Sequence, residues 1–387
     1  MSAMPEKIEY EGFEQGPIRP PSEARSLLIR VTRNCPWNRC TFCPVYKGRR
    51  FAVRPVEHVL RDIDLVHTCL RQIEAEAGAG GALRRVERGR LQARVGPGEA
   101  QAFQAAFNWY ACGMQSVFLQ DANSLILKPR DLLRILTHIR ERFPRVERIT
   151  SYARSHTVAR ISDRDLEAMA CAGLNRIHIG MESGADRVLQ AVCKGATQAT
   201  HIRAGLKVKA AGIELSEYVM PGLGGRALSR EHARETAEAL NRINPDFIRL
   251  RTLAIPGTVP LAEASAAGTF EKCTDVMTVR EILCFIENLD GITSTVRSDH
   301  ILNLLEEIDG VLPRDKPGMI GVLNDFLALD PERQCLYQVG RRLGIFSRLG
   351  DLSSPPRLAK AREVCGQLGV TPQNVDAVID QLMQRFI

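Results

Sequence analysis

Residues 34–43 read Asn34-Cys35-Pro36-Trp37-Asn38-Arg39-Cys40-Thr41-Phe42-Cys43, so three cysteines fall within nine residues. The first gap holds four residues and the second gap holds two. The segment directly follows the apolar run SLLIRVT (26–32), which predicts a buried strand. Three thiols directly after a strand indicate a metal or cluster site in the loop that leaves that strand.

Three interpretations of the cysteine triplet are open on spacing alone. Structural zinc takes four ligands, and the nearest histidines, His58 and His67, lie on a predicted helix. A disulfide is disfavoured in a cytosolic protein. An iron–sulfur cubane held by three thiolates leaves its fourth iron open, where a substrate or cofactor can bind. We therefore favour a cluster over a structural zinc ion.

The composition is that of a globular protein. The chain has 387 residues, a net charge of +7 and a hydrophobic fraction of 44%. Its apolar runs are shorter than the ~20 residues of a membrane span, and its first residues lack a secretory signal pattern. We expect a cytoplasmic protein without membrane contact. The modest basic charge suits an anionic substrate or a nucleic acid and does not choose between them.

Helices that end at a glycine and are followed by a short apolar strand recur along the chain. One such helix ends near Gly173 and precedes the strand NRIHIGM (175–181). This alternation predicts βαβ units and a parallel sheet. Six or more units favour an α/β fold built on a partial or full parallel (βα) barrel, with a doubly wound sheet as the alternative. Strands are predicted near 26–32, 116–120, 147–151, 176–181, 213–219, 246–252 and 293–297.

The same pattern suggests how the chain is divided. Residues 1–23 are predicted to be an N-terminal extension, 24–300 the barrel domain and 301–387 a helical C-terminal region. A Gly- and Arg-rich insertion near 76–98 interrupts the barrel domain. Sites in parallel α/β sheets lie at the carboxyl ends of the strands, which is where the cysteine triplet falls.

At this point the sequence resembles the radical S-adenosylmethionine (radical SAM) superfamily. The resemblance is carried by Cys35, Cys40 and Cys43, with the aromatic Phe42 before the last cysteine, and by RIHIGMESGADRVLQAVCKGAT (176–197). The latter segment is similar to the branch of the elongator subunit, the methylthiotransferases and coproporphyrinogen dehydrogenase. The first cysteine gap differs, since it has four residues where the family usually has three.

The resemblance implies which residues contact SAM. Asp121 takes the acidic role that receives the SAM amino group, assisted by Gln120 and the Ala122 carbonyl. Glu182 ends the fourth strand and suits the ribose hydroxyls, and Lys194 suits the SAM carboxylate. The remaining predicted cofactor contacts are Phe42, Ser151, Ser216, Arg249 and Arg251.

The function that the resemblance implies is radical chemistry. The three cysteines hold a 4Fe–4S cluster, whose electron cleaves SAM to a 5′-deoxyadenosyl radical that takes hydrogen from a substrate. We expect an oxygen-sensitive enzyme with a small-molecule substrate and an electron donor such as flavodoxin or ferredoxin. RNA modification is the alternative within the enzyme class. A non-catalytic protein stapled by an iron–sulfur cluster or zinc is the alternative outside it.

Overall fold

The computed structural model describes residues 9–77, 89, 91–92, 96 and 98–384. The Gly- and Arg-rich insertion predicted near 76–98 therefore lies mostly outside the described residues. Within the described part of the chain, no helix is long and apolar enough to cross a membrane.

The central feature is a sheet of eight strands in the order β1-β4-β5-β6-β7-β8-β9-β10. Where the pairing is resolved it is parallel, except for the antiparallel β9–β10 pair at the end. Two further strands, β2 and β3, form a separate antiparallel pair. The predicted α/β class with a largely parallel sheet is confirmed. The strands are β1 Leu27–Arg30, β2 Thr32–Arg33, β3 Ala52–Val53, β4 Ser116–Gln120, β5 Arg148–Ala153, β6 Leu174–Glu182, β7 Glu214–Val219, β8 Phe247–Leu250, β9 Thr295–Arg297 and β10 Gly310–Val311.

Helices connect and follow these strands. They are α1 Val56–Ala77, α2 Ala100–Ala111, α3 Pro129–Arg142, α4 Ser155–Val158, α5 Asp163–Cys171, α6 Asp186–Ala191, α7 Gln198–Ala210, α8 Gly225–Ile243, α9 Pro260–Ala266, α10 Asp275–Asn288, α11 Lys316–Leu327, α12 Pro331–Arg342, α13 Pro355–Gln367 and α14 Val375–Met383.

The boundaries of α5 illustrate why these segments fold as they do. The Ser162 side chain accepts a hydrogen bond from the Asp165 amide at 3.1 Å, which satisfies one of the unpaired donors of the first turn. At the other end Gly173 has a φ of +98°, a conformation that glycine adopts without steric penalty. Strand β6 begins at the next residue, Leu174. The cap and the glycine therefore mark where the helix begins and where it gives way to the strand.

The chain divides into two compact units. The N-terminal unit holds residues 1–36, 45–178 and 210–214, and the C-terminal unit holds residues 37–44, 179–209 and 215–387. In the N-terminal unit, α1 packs against α2 and α3. Fully buried apolar side chains such as Ile63 and Ile135 lie in this unit's core.

The core of the C-terminal unit continues into the last helices of the chain. Helix α10 packs against α8 and α11. Leu302 shares an apolar cluster with Cys335, Val339 and Ile379, which come from α12 and α14. Arg342 is almost fully buried and donates to the Leu302 carbonyl at 2.7 Å. The helices after residue 315 therefore belong to the same compact unit as the second half of the sheet.

Candidate active site

A short antiparallel pair of strands joins the two ends of the cysteine loop. Strands β2 and β3 pair antiparallel, with Thr32 opposite Val53 and Arg33 opposite Ala52. Directly above this ladder, the Asn34 side chain donates to the Arg50 carbonyl at 2.6 Å. The base of the loop is therefore closed by both backbone and side-chain hydrogen bonds.

The three cysteines are all half-buried. Cys40 and Cys43 pack against an apolar cluster that includes Phe42, Val188 and Val192. Among the described residues, no three His, Cys, Asp or Glu side chains are grouped so as to hold one metal ion. A cubane does not require such a group, because each thiolate binds a different iron. A set of three thiols on one loop is thus compatible with a cluster.

The middle of the loop is fastened to the segment that follows α6. The Thr41 amide donates to the Val192 carbonyl at 3.0 Å. The Trp37 indole N–H donates to the Cys193 carbonyl at 2.7 Å. Gly195 has a φ of +70°, and a Cβ at this position would lie 2.4 Å from the Trp37 ring. Trp37, one of the four residues of the first gap, therefore lies in a space that only a glycine leaves open.

Glu182, Lys194 and Phe42, three of the predicted cofactor contacts, lie close together, and their role in SAM binding stays a prediction. The Lys194 ammonium lies 3.0 Å from a Glu182 carboxylate oxygen and 5.9 Å from the centre of the Phe42 ring. The Glu182 and Lys194 side chains are 14% and 13% exposed, so the pair is not a solvated surface pair. A Cβ on Gly180 would lie 2.3 Å from the Glu182 carboxylate, so the glycine makes room for the pair.

Strand β7 adds a carboxylate that the sequence analysis missed. Glu217 is fully buried, and neither of its carboxylate oxygens has a hydrogen-bond partner among the described residues. Burial raises the pKa of Glu217 well above its usual value, while Lys194 lowers it and Glu182 raises it. The neighbouring Ser216 hydroxyl, a predicted contact, is also buried without a partner in the described part of the chain. Unpaired buried polar groups are costly and mark places where a ligand completes the bonding.

Arg249 and Arg251, two predicted cofactor contacts in the predicted strand 246–252, have different surroundings. Arg249 is buried and pairs with Asp299 at 2.6 Å, so it has the anionic partner that a buried guanidinium requires. Arg251 lies just beyond the strand and is exposed. Burial, together with the charge of Arg251, lowers the pKa of His300 to about 4. Ser298 donates to the Leu305 carbonyl at 2.7 Å, so this hydroxyl is engaged with the backbone.

Asp121, predicted to receive the SAM amino group, is fully buried in the N-terminal unit. Its Oδ2 accepts hydrogen bonds from Arg30 Nε at 3.1 Å, Arg30 Nη2 at 2.8 Å and the Asn34 amide at 3.1 Å. Its Oδ1 accepts from the Tyr46 hydroxyl. Burial, followed by the Asp121 charge, raises the pKa of Tyr46, so the phenol keeps its proton.

Three other predicted contacts lie close to Asp121 in the sequence or in the neighbouring strand. Gln120 is buried, and its amide is bonded to the backbone of Gly16 and Ile18. Ala122 is half-buried. Ser151 is fully buried, and its hydroxyl donates to the Tyr152 carbonyl at 3.1 Å. The role of each in SAM binding stays a prediction.

Sequence reasoning assigned no role to Arg30 or Tyr46. Both act on Asp121, and neither was predicted because their contacts span 91 and 75 residues. The available signal for Arg30 was a charge inside an otherwise apolar strand. For Tyr46 no local signal existed.

A family model described as the radical SAM superfamily matches residues 104–240. The match begins after the cysteine loop and includes Asp121, Glu182, Lys194 and Glu217. No curated protein matches the chain significantly in sequence.

Three of the solved structures that resemble this chain are Elp3, coproporphyrinogen III oxidase and methylornithine synthase. Elp3 of the archaeon Methanocaldococcus infernus is 16% identical, with 48% of this chain and 48% of that chain covered and a TM-score of 0.37. Coproporphyrinogen III oxidase (HemN) from Escherichia coli, a radical SAM enzyme, is 15% identical, with 68% and 52% covered and a TM-score of 0.44. Methylornithine synthase (PylB) is 12% identical, with 71% and 66% covered and a TM-score of 0.44. This chain therefore spans about half the length of Elp3 and HemN.

The family match includes the βα units that carry Glu182, Lys194 and Glu217. These three side chains lie close enough for their charges to interact. The resemblance noted for the cysteine triplet points to the same family independently of that range. Residues 104–240, which are 137 of the 387 residues, are therefore similar to the radical SAM superfamily.

Proposed function

We propose that Cys35, Cys40 and Cys43 hold one 4Fe–4S cluster whose open iron binds SAM, and that the chain attacks a C–H bond of a small-molecule substrate. The observation that carries the proposal is a group of three side chains on the same compact unit as Cys40 and Cys43. Glu182 and Lys194 are half-buried, and Glu217 is buried with no hydrogen-bond partner for its carboxylate among the described residues. When bound, the cluster and SAM would supply a one-electron reductive cleavage that yields a hydrogen-abstracting radical.

The residues of this group have charges that match SAM. The Lys194 ammonium suits the SAM carboxylate, and Glu182 suits the ribose hydroxyls. Glu217 offers a buried carboxyl group to a polar ligand group, which would relieve the cost of leaving it unpaired. Because burial raises the pKa of Glu217, its carboxyl group holds a proton more readily than usual, and in that form it donates as well as accepts a hydrogen bond.

The protein's own task is positioning and exclusion of water. Apolar side chains around Phe42 pack against the cysteine loop and keep this region dry. A dry, fixed site holds the substrate hydrogen close to the reacting carbon and protects a radical from side reactions. We propose a reduced flavodoxin or ferredoxin as the electron donor and residues 24–300 as the catalytic domain.

An anaerobic assay of SAM cleavage tests the proposal. Purified chain is reconstituted with iron and sulfide, reduced with dithionite and incubated with SAM, and 5′-deoxyadenosine is quantified. We expect its formation by the native chain and its loss in Cys35→Ser, Cys40→Ser and Cys43→Ser. The control is Cys112→Ser, which alters an exposed cysteine outside the loop and should leave the yield unchanged. If native chain that holds iron forms no 5′-deoxyadenosine, the proposal is wrong.

A further inference from the structure

We propose that Asp121 is a positioning residue that fixes both ends of the cysteine loop, and that it does not bind the SAM amino group. This inference rests on the proposed function, since it concerns how the loop holds a cluster. It assigns the loop geometry to three side chains of the N-terminal unit, Asp121, Arg30 and Tyr46.

Asp121 already accepts four hydrogen bonds. Two N–H groups of Arg30 and the Asn34 amide donate to Oδ2, and the Tyr46 hydroxyl donates to Oδ1. Each carboxylate oxygen has about two acceptor sites, so Oδ2 is fully used and one site remains on Oδ1. Because the backbone of Gly16 lies against Oδ1, a SAM ammonium group would have to displace this segment or one of the four donors. The Arg30 guanidinium also neutralises the carboxylate charge that an ammonium group would need.

Two of the four donors lie on opposite sides of the cysteines. Asn34 directly precedes Cys35, and Tyr46 follows Cys43 by three residues. One buried carboxylate thus ties the outgoing and the returning strand of the loop to the end of β4. The Asn34 side chain, which donates to the Arg50 carbonyl, reinforces this closure from the same residue.

Residues of the N-terminal segment cover the carboxylate. A Cβ on Gly16 would lie 3.1 Å from Asp121 Oδ1, so the backbone of Gly16 passes directly over it. The Gly16 amide and the Ile18 carbonyl hold the Gln120 side chain at 2.8 Å and 2.7 Å. Glu14 pairs with Arg30 at 3.2 Å. Residues 14–18 of the predicted N-terminal extension are therefore part of this arrangement, and they cover Asp121, which is fully buried.

The hydrogen bonds of Asp121 with Arg30, Asn34 and Tyr46 are called the brace. The length of the first cysteine gap explains why the brace is useful. The gap has four residues, and each added residue enlarges the set of conformations that the loop can adopt. Three thiolates must reach three irons of one cube, so freedom in the loop lowers the fraction of chains that are ready to bind. Fixing both ends to one carboxylate restricts that freedom before any cluster arrives.

The test compares two variants with one matched control. Tyr46→Phe and Asp121→Asn break the brace. The control is Tyr10→Phe, because Tyr10 likewise donates to a fully buried aspartate, Asp62, at 2.7 Å in the same unit. Circular dichroism and thermal unfolding first establish that each variant is folded.

The first readout uses the chain without a cluster. Trypsin cleavage after Lys47, Arg49 or Arg50 reports how often the loop opens. We expect cleavage to be at least about tenfold faster in Tyr46→Phe and Asp121→Asn than in the native chain, since a hydrogen bond to a charged group is lost. Cleavage in the Tyr10→Phe control should stay near the native rate. Equal rates in all three variants would overturn the proposal, whether or not the chain binds a cluster.

The second readout uses the reconstituted chain. We expect the brace variants to hold less iron per chain and to give broader electron paramagnetic resonance (EPR) signals, while the clusters that do form still respond to SAM. A direct SAM contact predicts the opposite, with full iron content, an unchanged signal and no response to SAM. That result in Asp121→Asn would overturn the proposal and leave the proposed function standing.

Discussion

Glu217 is a carboxylic acid in surroundings that do not suit its charged form. It is fully buried, and its carboxylate has no hydrogen-bond partner among the described residues. A charged carboxylate without partners is unstable in a protein interior, so the folded chain favours the protonated form. The sequence pattern did not identify it because a Glu among alternating residues of a strand is equally typical of a solvated face. Only the packing around β7 decides that this side chain is buried.

The raised pKa of Glu217 has a consequence for stability. Because the folded chain holds the proton above the ordinary pKa of 4.5, the unfolded chain releases it first, and stability falls as the pH rises above that value. The slope from one group is at most about 1.4 kcal/mol per pH unit. We expect Glu217→Gln to gain stability over the native chain between pH 5 and pH 8, measured by urea unfolding without cofactors. Exposed Glu238→Gln is the control, and parallel curves for the native chain and Glu217→Gln would contradict the account.

Lys194 is expected to contribute to SAM affinity through its charge. Lys194→Met removes the ammonium group and leaves the Glu182 carboxylate without its cation, so we expect SAM binding to the reconstituted chain to weaken about tenfold or more. Isothermal titration calorimetry under anaerobic conditions measures this. Arg187→Met is the matched control, because Arg187 pairs with Glu231 at 2.6 Å but is 70% exposed. Equal affinities in the two variants would show that Lys194 lies outside the SAM site.

At the scale of the element, strands β1 and β4 to β9 were predictable, whereas β3, β10 and the contacts of the loops were not. Gly113, Gly173 and Gly212 all have positive φ, and each marks the end of a helix before a buried strand. These local signals placed β4, β6 and β7 within one or two residues. The cysteine loop has no such signals for its contacts. The Trp37 bond to Cys193 joins residues 156 positions apart, and no periodicity predicts it.

The docking of Trp37 can be tested with two glycines. Gly195 and Gly212 have nearly equal φ values of +70° and +72°, so an alanine at either position costs about 1 kcal/mol of backbone strain. At Gly195 the new Cβ would also collide with the Trp37 ring, whereas at Gly212 nothing lies within 4 Å. We expect Gly195→Ala, unlike Gly212→Ala, to shift Trp37 fluorescence and to lower iron uptake. Identical spectra would mean that Trp37 does not dock at Gly195.

At the scale of the whole molecule, the C-terminal helices share the core of the second half of the sheet. Arg342 pairs with Asp275 at 3.0 Å, and both side chains are almost fully buried. The adjacent Arg341 pairs with Glu306, which is 45% exposed. Arg342→Met leaves a buried carboxylate without its cation, so we expect a loss of about 3 kcal/mol in the free energy of unfolding. Arg341→Met should cost about 1 kcal/mol or less. Equal losses in urea unfolding would contradict a shared core.

The sequence predicted the α/β fold class, and the radical SAM model matches residues 104–240 of it, because both depend on local patterns along the chain. Apolar strands alternating with capped helices indicate a parallel sheet, and three clustered thiols indicate a cluster loop. The arrangement around Asp121 could not be predicted, because it depends on the pairing of β1 with β4 that sets Arg30 beside Gln120. Motif position alone assigned Asp121 to the cofactor, whereas its hydrogen bonds favour a role in the loop.

The central claim is that three cysteines hold a cluster with one iron left open for SAM. The measurement that tests it most directly is iron and sulfide analysis of the anaerobically reconstituted chain, combined with EPR spectra of the reduced form with and without SAM. The account predicts about four irons and four sulfides per chain and an EPR signal that changes when SAM is added. Bound zinc without iron, or a cluster whose signal is the same with and without SAM, would contradict it.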